Sequence, residues 1–483
     1  MASLYGLRRP TRRFHYAWVI LGILAVVQIF GQSISMSAGI MIPELREPLA
    51  EGGKFGWPVG LIGAALAGYY LVGSLTSPYS GRLGDTLGAR KLLVAGGILF
   101  GTSMILIGFI THIWQFFIVY SVMLALTSSI TIVPLMAAVN PWFKRRLGLG
   151  IGLMWAAGGL GAALLAPVYS ILLEQFGWTT TFVCIGAVGG GITLLLVPFF
   201  RNQPAEKGLL AYGASPHDKP AKVFSQEAAK VRLQIFQKQM RHTRAFWNLP
   251  VIHGLGCAGH GIVLIYVIDY AVKEGVLFTT AAIILTLIQI FSIAGRFAVP
   301  IITERIGGKP IMATALAIQA LSVGLLLLPS GILGYTANVA LPFMGSFEIP
   351  LAFFLFGMVF GLGFGGEMSA YPVVNRQYYG TGPVGSVYGM QISGAMMGHC
   401  ISTVAAGFII QFLSFGHAFL LSMAFSGLGV IIIMTLETTK RELIPNWEDQ
   451  LPAEARTAPP PTMVPPAAAA TGVAFGSAGG DGN

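Results

Sequence analysis

Twelve predominantly apolar stretches follow one another along this chain, and their length restricts the folds it can adopt. They fall at 16–42, 58–80, 91–110, 113–138, 147–172, 178–200, 246–270, 278–302, 310–330, 348–371, 383–412 and 416–436. A helix rising ~1.5 Å per residue crosses a ~30 Å hydrocarbon layer in about 20 residues, so each stretch is long enough to span a bilayer. In lipid every backbone N–H and C=O must bond within the protein, which turns such runs into a helical bundle. Charge supports this reading: 10% of the 483 residues are charged, against about 25% in soluble domains. The 63 glycines and 31 phenylalanines suit helices packed closely in lipid. A net charge of +10 would suit nucleic acid, but the basic residues sit in short loops between apolar runs, where they act as a topology signal. No nucleic-acid partner is therefore expected. The first run lacks a small-residue cleavage pattern, so no signal peptide is expected either. Cys184, Cys257 and Cys400 all lie inside apolar runs without metal-ligand spacing and read as packing residues.

Loop charge sets the orientation. Arg8, Arg9, Arg12 and Arg13 precede span 1; Arg82, Arg90 and Lys91 follow span 2; Lys144, Arg145 and Arg146 follow span 4. The alternate loops are poor in Lys and Arg, so the basic side is expected to be cytoplasmic, with both termini there. The longest loop divides the spans six and six. This predicts an N-terminal half at 1–200, a basic cytoplasmic loop at 201–245, a C-terminal half at 246–438 and a disordered cytoplasmic tail at 439–483. Within the loop, Ser225 to Arg241 has the pattern of a basic amphipathic helix lying on the cytoplasmic face, or else belongs to a flexible linker.

The halves carry a repeat. After span 2 stands Gly81-Arg82-Leu83-Gly84-Asp85-Thr86-Leu87-Gly88-Ala89-Arg90-Lys91, and after span 8 stands Thr303-Glu304-Arg305-Ile306-Gly307-Gly308-Lys309. Each sets an acid three residues before a glycine, with a basic residue two beyond it. The first segment resembles the loop signature of major facilitators, G-x-L-x-D-x-x-G-x-[RK]-[RK], at nearly every fixed position. The resemblance implies an all-α membrane protein of twelve transmembrane helices in two six-helix halves around a midplane site. It also implies a conformational latch at Gly81, Asp85, Gly88 and Arg90, with Asp85 pairing with arginines or capping a facing helix. Further segments narrow the likeness: Gly148-Leu149-Gly150-Ile151-Gly152 in span 5, Gly295-Arg296 in span 8, Gly363-Phe364-Gly365-Gly366-Glu367 in span 10, and Gly385-Ser386-Val387-Tyr388-Gly389 in span 11. Together they resemble the monocarboxylate transporter-like group, which includes the oxalate/formate antiporters.

Arg296 is the conspicuous polar residue. It lies about 12 Å of helix from Glu304, at a depth where a guanidinium is costly unless it faces a cavity or a partner. Gln289 and Ser292 sit seven and four residues earlier, on its face. The planar fork suits a carboxylate, and the resemblance implies that this arginine binds the substrate's; pairing with an internal acid is the other reading. Glu367 is the one acid deep in the second-half spans. It could carry a coupling proton, or serve as a structural partner of Arg296 or of a helix end. His253 and His260 lie seven apart, about 10 Å along the helix, too far to share an ion, so no metal or cofactor is expected. His260 and His399 read either as packing residues or as substrate contacts. Gln391 and Gln32 complete the expected contacts. In the first half Ser128, Ser129, Thr131, Tyr69, Tyr70 and Trp155 supply hydrogen bonds and aromatic surface.

The sequence departs from the group in three places. Span 11 has no lysine such as the oxalate carriers pair with the span 8 arginine. Span 1 lacks the basic residue of animal monocarboxylate carriers, and Lys273 replaces the acid of a Tyr-Ala-x-Asp-x-Gly pattern. The expected function is alternating-access secondary transport of a small organic anion, a monocarboxylate, coupled to protons, across the inner (plasma) membrane by a monomer. Anion exchange and drug efflux are the alternatives. Scattered histidines and one acid do not make a catalytic cluster, so no enzyme is expected.

Overall fold

The computed structural model describes residues 14–46, 55–215, 222, 224–328, 335–341 and 345–457. The arginines at 8, 9, 12 and 13 lie outside the described residues, as do the side chain of Gln32 and the tail from 458. The first half comprises α1 (Tyr16–Arg46), α2 (Val59–Leu87), α3 (Ala89–Gly108), α4 (113–138), α5 (147–176) and α6 (178–196). α4 passes through a π-helical stretch at Phe117–Leu124, and α5 and α6 meet at Gly177, whose φ of 72° breaks an otherwise continuous helix. A connecting helix, α7 (Gln226–Met240), leads to α8 (Arg244–Lys273), α9 (Phe278–Ile306), α10 (Gly308–Val323), α11 (Leu351–Tyr379), α12 (Gly385–Phe412) and α13 (Phe415–Met434). Among the described residues ten helices are long and apolar enough to cross a membrane, and the shorter apolar stretches Tyr16–Gly31 and Leu147–Gly161 belong to α1 and α5. Prolines 78, 134, 250, 300 and 372 sit inside helices, as bundles tolerate when neighbours satisfy the freed carbonyls.

Helix length and one connection depart from the sequence reading. α2 runs to Leu87 and α9 to Ile306, so Gly81, Asp85 and Glu304 belong to helix ends rather than to loops. Charge ends an apolar run but does not end helical hydrogen bonding. Between α10 and α11 lies a hairpin, β1 (Thr336–Leu341) and β2 (Gly345–Pro350), antiparallel with Thr336 opposite Pro350; the sequence reading had only a loop there.

Packing is uneven along the bundle. One apolar core belongs to the first half, around Tyr69, Phe100, Phe116 and Trp178. A second belongs to the second half, around Val267, Phe353, Phe360 and Phe419. The third is shared by both halves and by α7, and contains Trp142, Trp155, Phe236, Tyr371 and Tyr388. The halves are therefore fused at the end that bears α7 and keep separate cores at the other.

α7 shows how that end is assembled. The Ser225 hydroxyl accepts the Ala228 N–H at 3.2 Å and caps the helix. Arg232, Leu233, Phe236 and Met240 form its buried face. Residues 439–457, assigned to the tail by sequence, fold back over it. Arg232 pairs with Glu448 at 2.6 Å and donates to the Ala455 carbonyl. Its guanidinium lies between the Phe224 and Trp447 rings, 4.1 and 4.7 Å away. Trp447, Leu451 and Ala455 are buried. Burial pushes the Glu448 carboxyl up, but hydrogen bonds from the Thr457 hydroxyl and amide and from Arg232, with the arginine's charge, hold it below its ordinary value. A depressed carboxylate contributes stability above its unfolded pKa and loses it as pH falls through the folded one. Docking of 439–457 should accordingly be constant from neutral pH to about 5 and loosen below the ordinary carboxylate value of about 4.3. Limited proteolysis with an acid-active protease checks this, and Glu448→Gln should abolish the pH dependence.

Candidate functional site

The fused end is closed by two carboxylates in equivalent places. Asp85, in the last turn of α2, accepts the Gly385 and Ser386 N–H groups, each at 2.9 Å. These are the first two residues of α12, in the other half. Glu304, in the last turn of α9, accepts the Leu147 and Gly148 N–H groups at 3.2 and 2.8 Å, the first two residues of α5. Each acid thus caps a helix start across the interface, where unbonded N–H groups and the helix dipole favour negative charge. The repeat extends to the turns that follow: Gly88 and Gly307 have φ of 83° and 108°, which only glycine adopts easily. Arg90 enters through its backbone N–H, held at 3.0 Å by the Asn202 side chain; of the two sequence readings of Asp85, the structure realises the helix cap.

Glycines let the crossing helices touch. A Cβ on Gly81 would lie 2.2 Å from the Gly385 carbonyl oxygen, and one on Gly148 2.4 Å from that of Pro300. Further in, Ser74 of α2 donates to the Ser393 carbonyl of α12 at 2.9 Å.

Toward the middle of the bundle the interface becomes polar and aromatic. Arg296 is 5% exposed, and a Cβ on Gly159, in α5 of the other half, would stand 3.5 Å from its Nη1. Its guanidinium lies 5.3 Å over the Phe364 ring and reaches the Met368 sulfur at 4.0 Å. Nε has no hydrogen-bond partner, and among the described residues Arg296 forms no ion pair. Phe364 touches His260, centroids 4.6 Å apart; His260 touches His399 at 5.0 Å; and His399 stacks on Tyr70 of α2 at 5.0 Å. This continuous row of rings links the arginine of one half to the tyrosine of the other.

The structure sorts the remaining candidates. The Ser292 hydroxyl donates to the Gln289 carbonyl at 2.9 Å, and the two share the arginine's helix. Glu367 is buried and accepts from Tyr371 at 2.7 Å, and Tyr371 stacks on His253 at 4.1 Å. It is not the partner of Arg296. Gln391 is engaged elsewhere, its amide exchanging two hydrogen bonds with Asn375 at 2.9 and 2.8 Å. Ser129 is bonded to Thr76 at 2.9 Å, while Ser128 and Thr131 are buried without partners beside a cavity lined by Val27, Phe100 and Thr193. Sequence reading missed the Glu304 cap, although the acid was visible in the repeat, and it missed the approach of Cys257 to His260 and His399, which only the packing of α8 on α12 creates.

Comparison with known proteins agrees with the helical fold. Residues 19–347 match the family model described as Major Facilitator Superfamily. Monocarboxylate transporter 12 of Rattus norvegicus is 22% identical over 450 residues, covering 89% of this chain and 88% of the relative. Monocarboxylate transporter 3 of Mus musculus is 27% identical over 174 residues, 36% of this chain and 34% of the relative. Among solved structures, the proton:xylose symporter XylE bound to 6-bromo-6-deoxy-D-glucose superposes with a TM-score of 0.66 at 12% identity, over 90% of this chain and 99% of that one.

The two caps make unequal predictions. A hydrogen bond to a charged group contributes ~1.5–3 kcal/mol, less where solvent competes. Asp85 is half-buried and Glu304 exposed. Asp85→Asn should shift the balance away from the closed α7 end by about tenfold, Glu304→Gln by less, and the double variant by the product of the two. Spin-label distances between the α2 and α12 ends measure this directly. An unchanged distance distribution in Asp85→Asn would remove the cap from the closing mechanism.

Proposed function

The chain belongs to the Major Facilitator Superfamily, whose members here are transporters and not enzymes, and on that premise we propose that it carries a small monocarboxylate through the inner (plasma) membrane by alternating access, coupled to protons. Twelve spans with both termini on the basic side make the α7 face cytoplasmic. The described conformation is then closed toward the cytoplasm, with its separated cores toward the outside. The carrier is proposed to act as a monomer.

One observation carries the substrate class: a buried guanidinium at the interface of the halves that no acid of the described protein neutralises. Its neighbours are an aromatic face and a thioether. Such partners stabilise the charge yet leave planar N–H donors free for a carboxylate. Gln289 and Ser292 extend the polar face, and His260 and Phe364 set the apolar wall. A single fixed cation balances a single negative charge, which favours monocarboxylates over dicarboxylates. Two of the named relatives are monocarboxylate transporters.

Proton coupling is assigned to Glu367. Its only described hydrogen-bond partner is Tyr371, and a Cβ on Gly256 would approach its Oε1 to 2.6 Å, so α8 seals it on that side. A carboxyl so enclosed is stable when neutral and costly when charged. The carried anion and a proton on Glu367 would cross together, keeping the moving interior close to neutral. The caps at Asp85 and Glu304 act on the conformational balance and not on the substrate.

Uptake of radiolabelled small monocarboxylates into proteoliposomes tests this reading. Arg296→Lys keeps the charge but loses the fork and should weaken apparent affinity by about tenfold, the equivalent of ~1.4 kcal/mol. Arg296→Gln should weaken it further. Because Arg296 and Glu367 are not paired, Arg296→Gln should leave the melting temperature of the unliganded protein within a few degrees of the parent's. Parental affinity in Arg296→Gln would overturn the organic-anion assignment. Glu367→Gln should abolish acceleration of uptake by an inward proton gradient while counterflow exchange persists; gradient-driven uptake at the parental rate would remove Glu367 from coupling.

A further inference from the structure

We propose that Cys257, His260 and His399 form a binding site for a soft monovalent metal cation of the Cu(I) class. This goes beyond carboxylate transport, and the site shares His260 with the wall proposed for the substrate. Each residue offers one ligand atom, and the three atoms lie within 4.8 Å of one another. Cys257 and His260 stand three apart on α8, hence on one face; His399 comes from α12. Metal–sulfur and metal–nitrogen bonds of about 2.3 and 2.0 Å place ligand atoms ~3.5 Å apart, so closure requires a contraction of about an ångström. His399 is the partly exposed member and can supply most of it by rotation of its ring, while Cys257 and His260 are 1% and 0% exposed and fixed.

The second observation is the state of His260. Its ring is fully buried; the Gln319 side chain approaches it, but neither ring nitrogen has a hydrogen bond of normal geometry. A neutral imidazole always offers one lone pair, and a buried one without a partner is costly. Around it stand Phe364 and His399, with Cys257 one helical turn away. A metal ion bound to a ring nitrogen, the Cys257 sulfur and a His399 nitrogen would satisfy that lone pair.

Ligand type and charge select the ion. Thiolate and imidazole favour soft and borderline metals, and no carboxylate or carbonyl set is present for a hard one; the nearest acid, Glu367, is bonded to Tyr371. A monovalent ion with one thiolate and two neutral imidazoles has no net charge. A divalent ion would leave a positive charge in a low-dielectric interior that already holds Arg296 on the far side of Phe364. Three ligands also suffice for a d10 monovalent ion, whereas a divalent zinc would want a fourth. On binding, the Cys257 S–H bond breaks, an S–metal bond forms and the proton leaves to bulk water. No electron is transferred.

The test uses the purified full chain carrying Cys184→Ser and Cys400→Ser, so that Cys257 is the remaining thiol. Anaerobic Cu(I) is titrated in competition with a chromophoric chelator. One equivalent should bind, and X-ray absorption should show one sulfur and two nitrogens. Cys257→Ser or His399→Gln should each weaken binding on the order of a hundredfold, with melting temperature reported for every variant. Absence of a bound equivalent, a coordination shell without sulfur, or parental affinity in Cys257→Ser would each overturn the proposal. Should a variant fail to fold, the absorption spectrum of the parent still decides. Because the readout is metal bound and not solute moved, failure here leaves the carboxylate reading untouched, and the converse holds.

Discussion

Capping of one half's helix starts by the other half's carboxylates is the interaction on which the closed end depends. Asp85 and Glu304 each hold two N–H groups of a facing helix. These donors are orphaned by helix geometry, so each needs a partner from outside its own helix. The same donors could be hydrated once the ends separate. Each cap is therefore a difference between protein and water as acceptor, small enough to break thermally and large enough to bias the equilibrium. Glycines at the crossings bring backbones together, and without that approach the carboxylates could not reach. The caps, the crossing glycines and the positive-φ turns thus form one device, present twice.

Closure at one end has a consequence for the centre. Among the described residues the apolar core common to both halves lies on the α7 side, and beyond it the interface is polar and aromatic. Arg296 lies where that shared packing gives way, against α5 of the opposite half and without an acid partner. An unneutralised buried cation makes the unliganded interior costly. A bound anion relieves that cost most when both halves enclose it. On the proposed function, substrate binding and closure of the second end would in this way be linked through electrostatics.

Much of this architecture could be read from the sequence, for physical reasons that also explain the failures. Apolar run length reports helices directly: the twelve runs fall on α1–α6 and α8–α13, and among the described residues ten helices are long and apolar enough to cross a membrane. It misplaces the ends of α2, α9 and α11, where helices continue past the apolar layer. The repeat contained both capping acids, yet only the first was assigned a role, because signature likeness was specific there and Glu304 lies in a degenerate copy. Gln391 was expected among the substrate contacts from its depth; a helix register alone does not reveal that Asn375 sits opposite it and exchanges two hydrogen bonds with it. The fold-back of 439–457 was hidden because the chain beyond it is rich in proline, alanine and glycine, and within it Trp447 and Leu451 are apolar anchors set among charged residues without periodicity. Cys257 and His260 read as unrelated because their third partner is on another helix, 139 residues away in sequence.

The separation of Arg296 from Glu367 bears on how a proton and an anion could be coupled at all. Had the two been paired, the substrate would have to displace an internal carboxylate, and binding would compete with a strong buried ion pair. In the observed arrangement the arginine is held by Phe364 and Met368, and the acid by Tyr371, on separate parts of the α11 surface. Each site can then be filled without emptying the other. On the proposed function, what would join them is the net charge of the enclosed interior. With Arg296 cationic, an anion bound and Glu367 protonated, the interior is neutral; remove the proton alone and a negative charge is stranded in low dielectric. The neutral combination is the one that can be enclosed by both halves at modest cost. Coupling of this kind needs no contact between proton and substrate, only a moving compartment that will not close over an unbalanced charge.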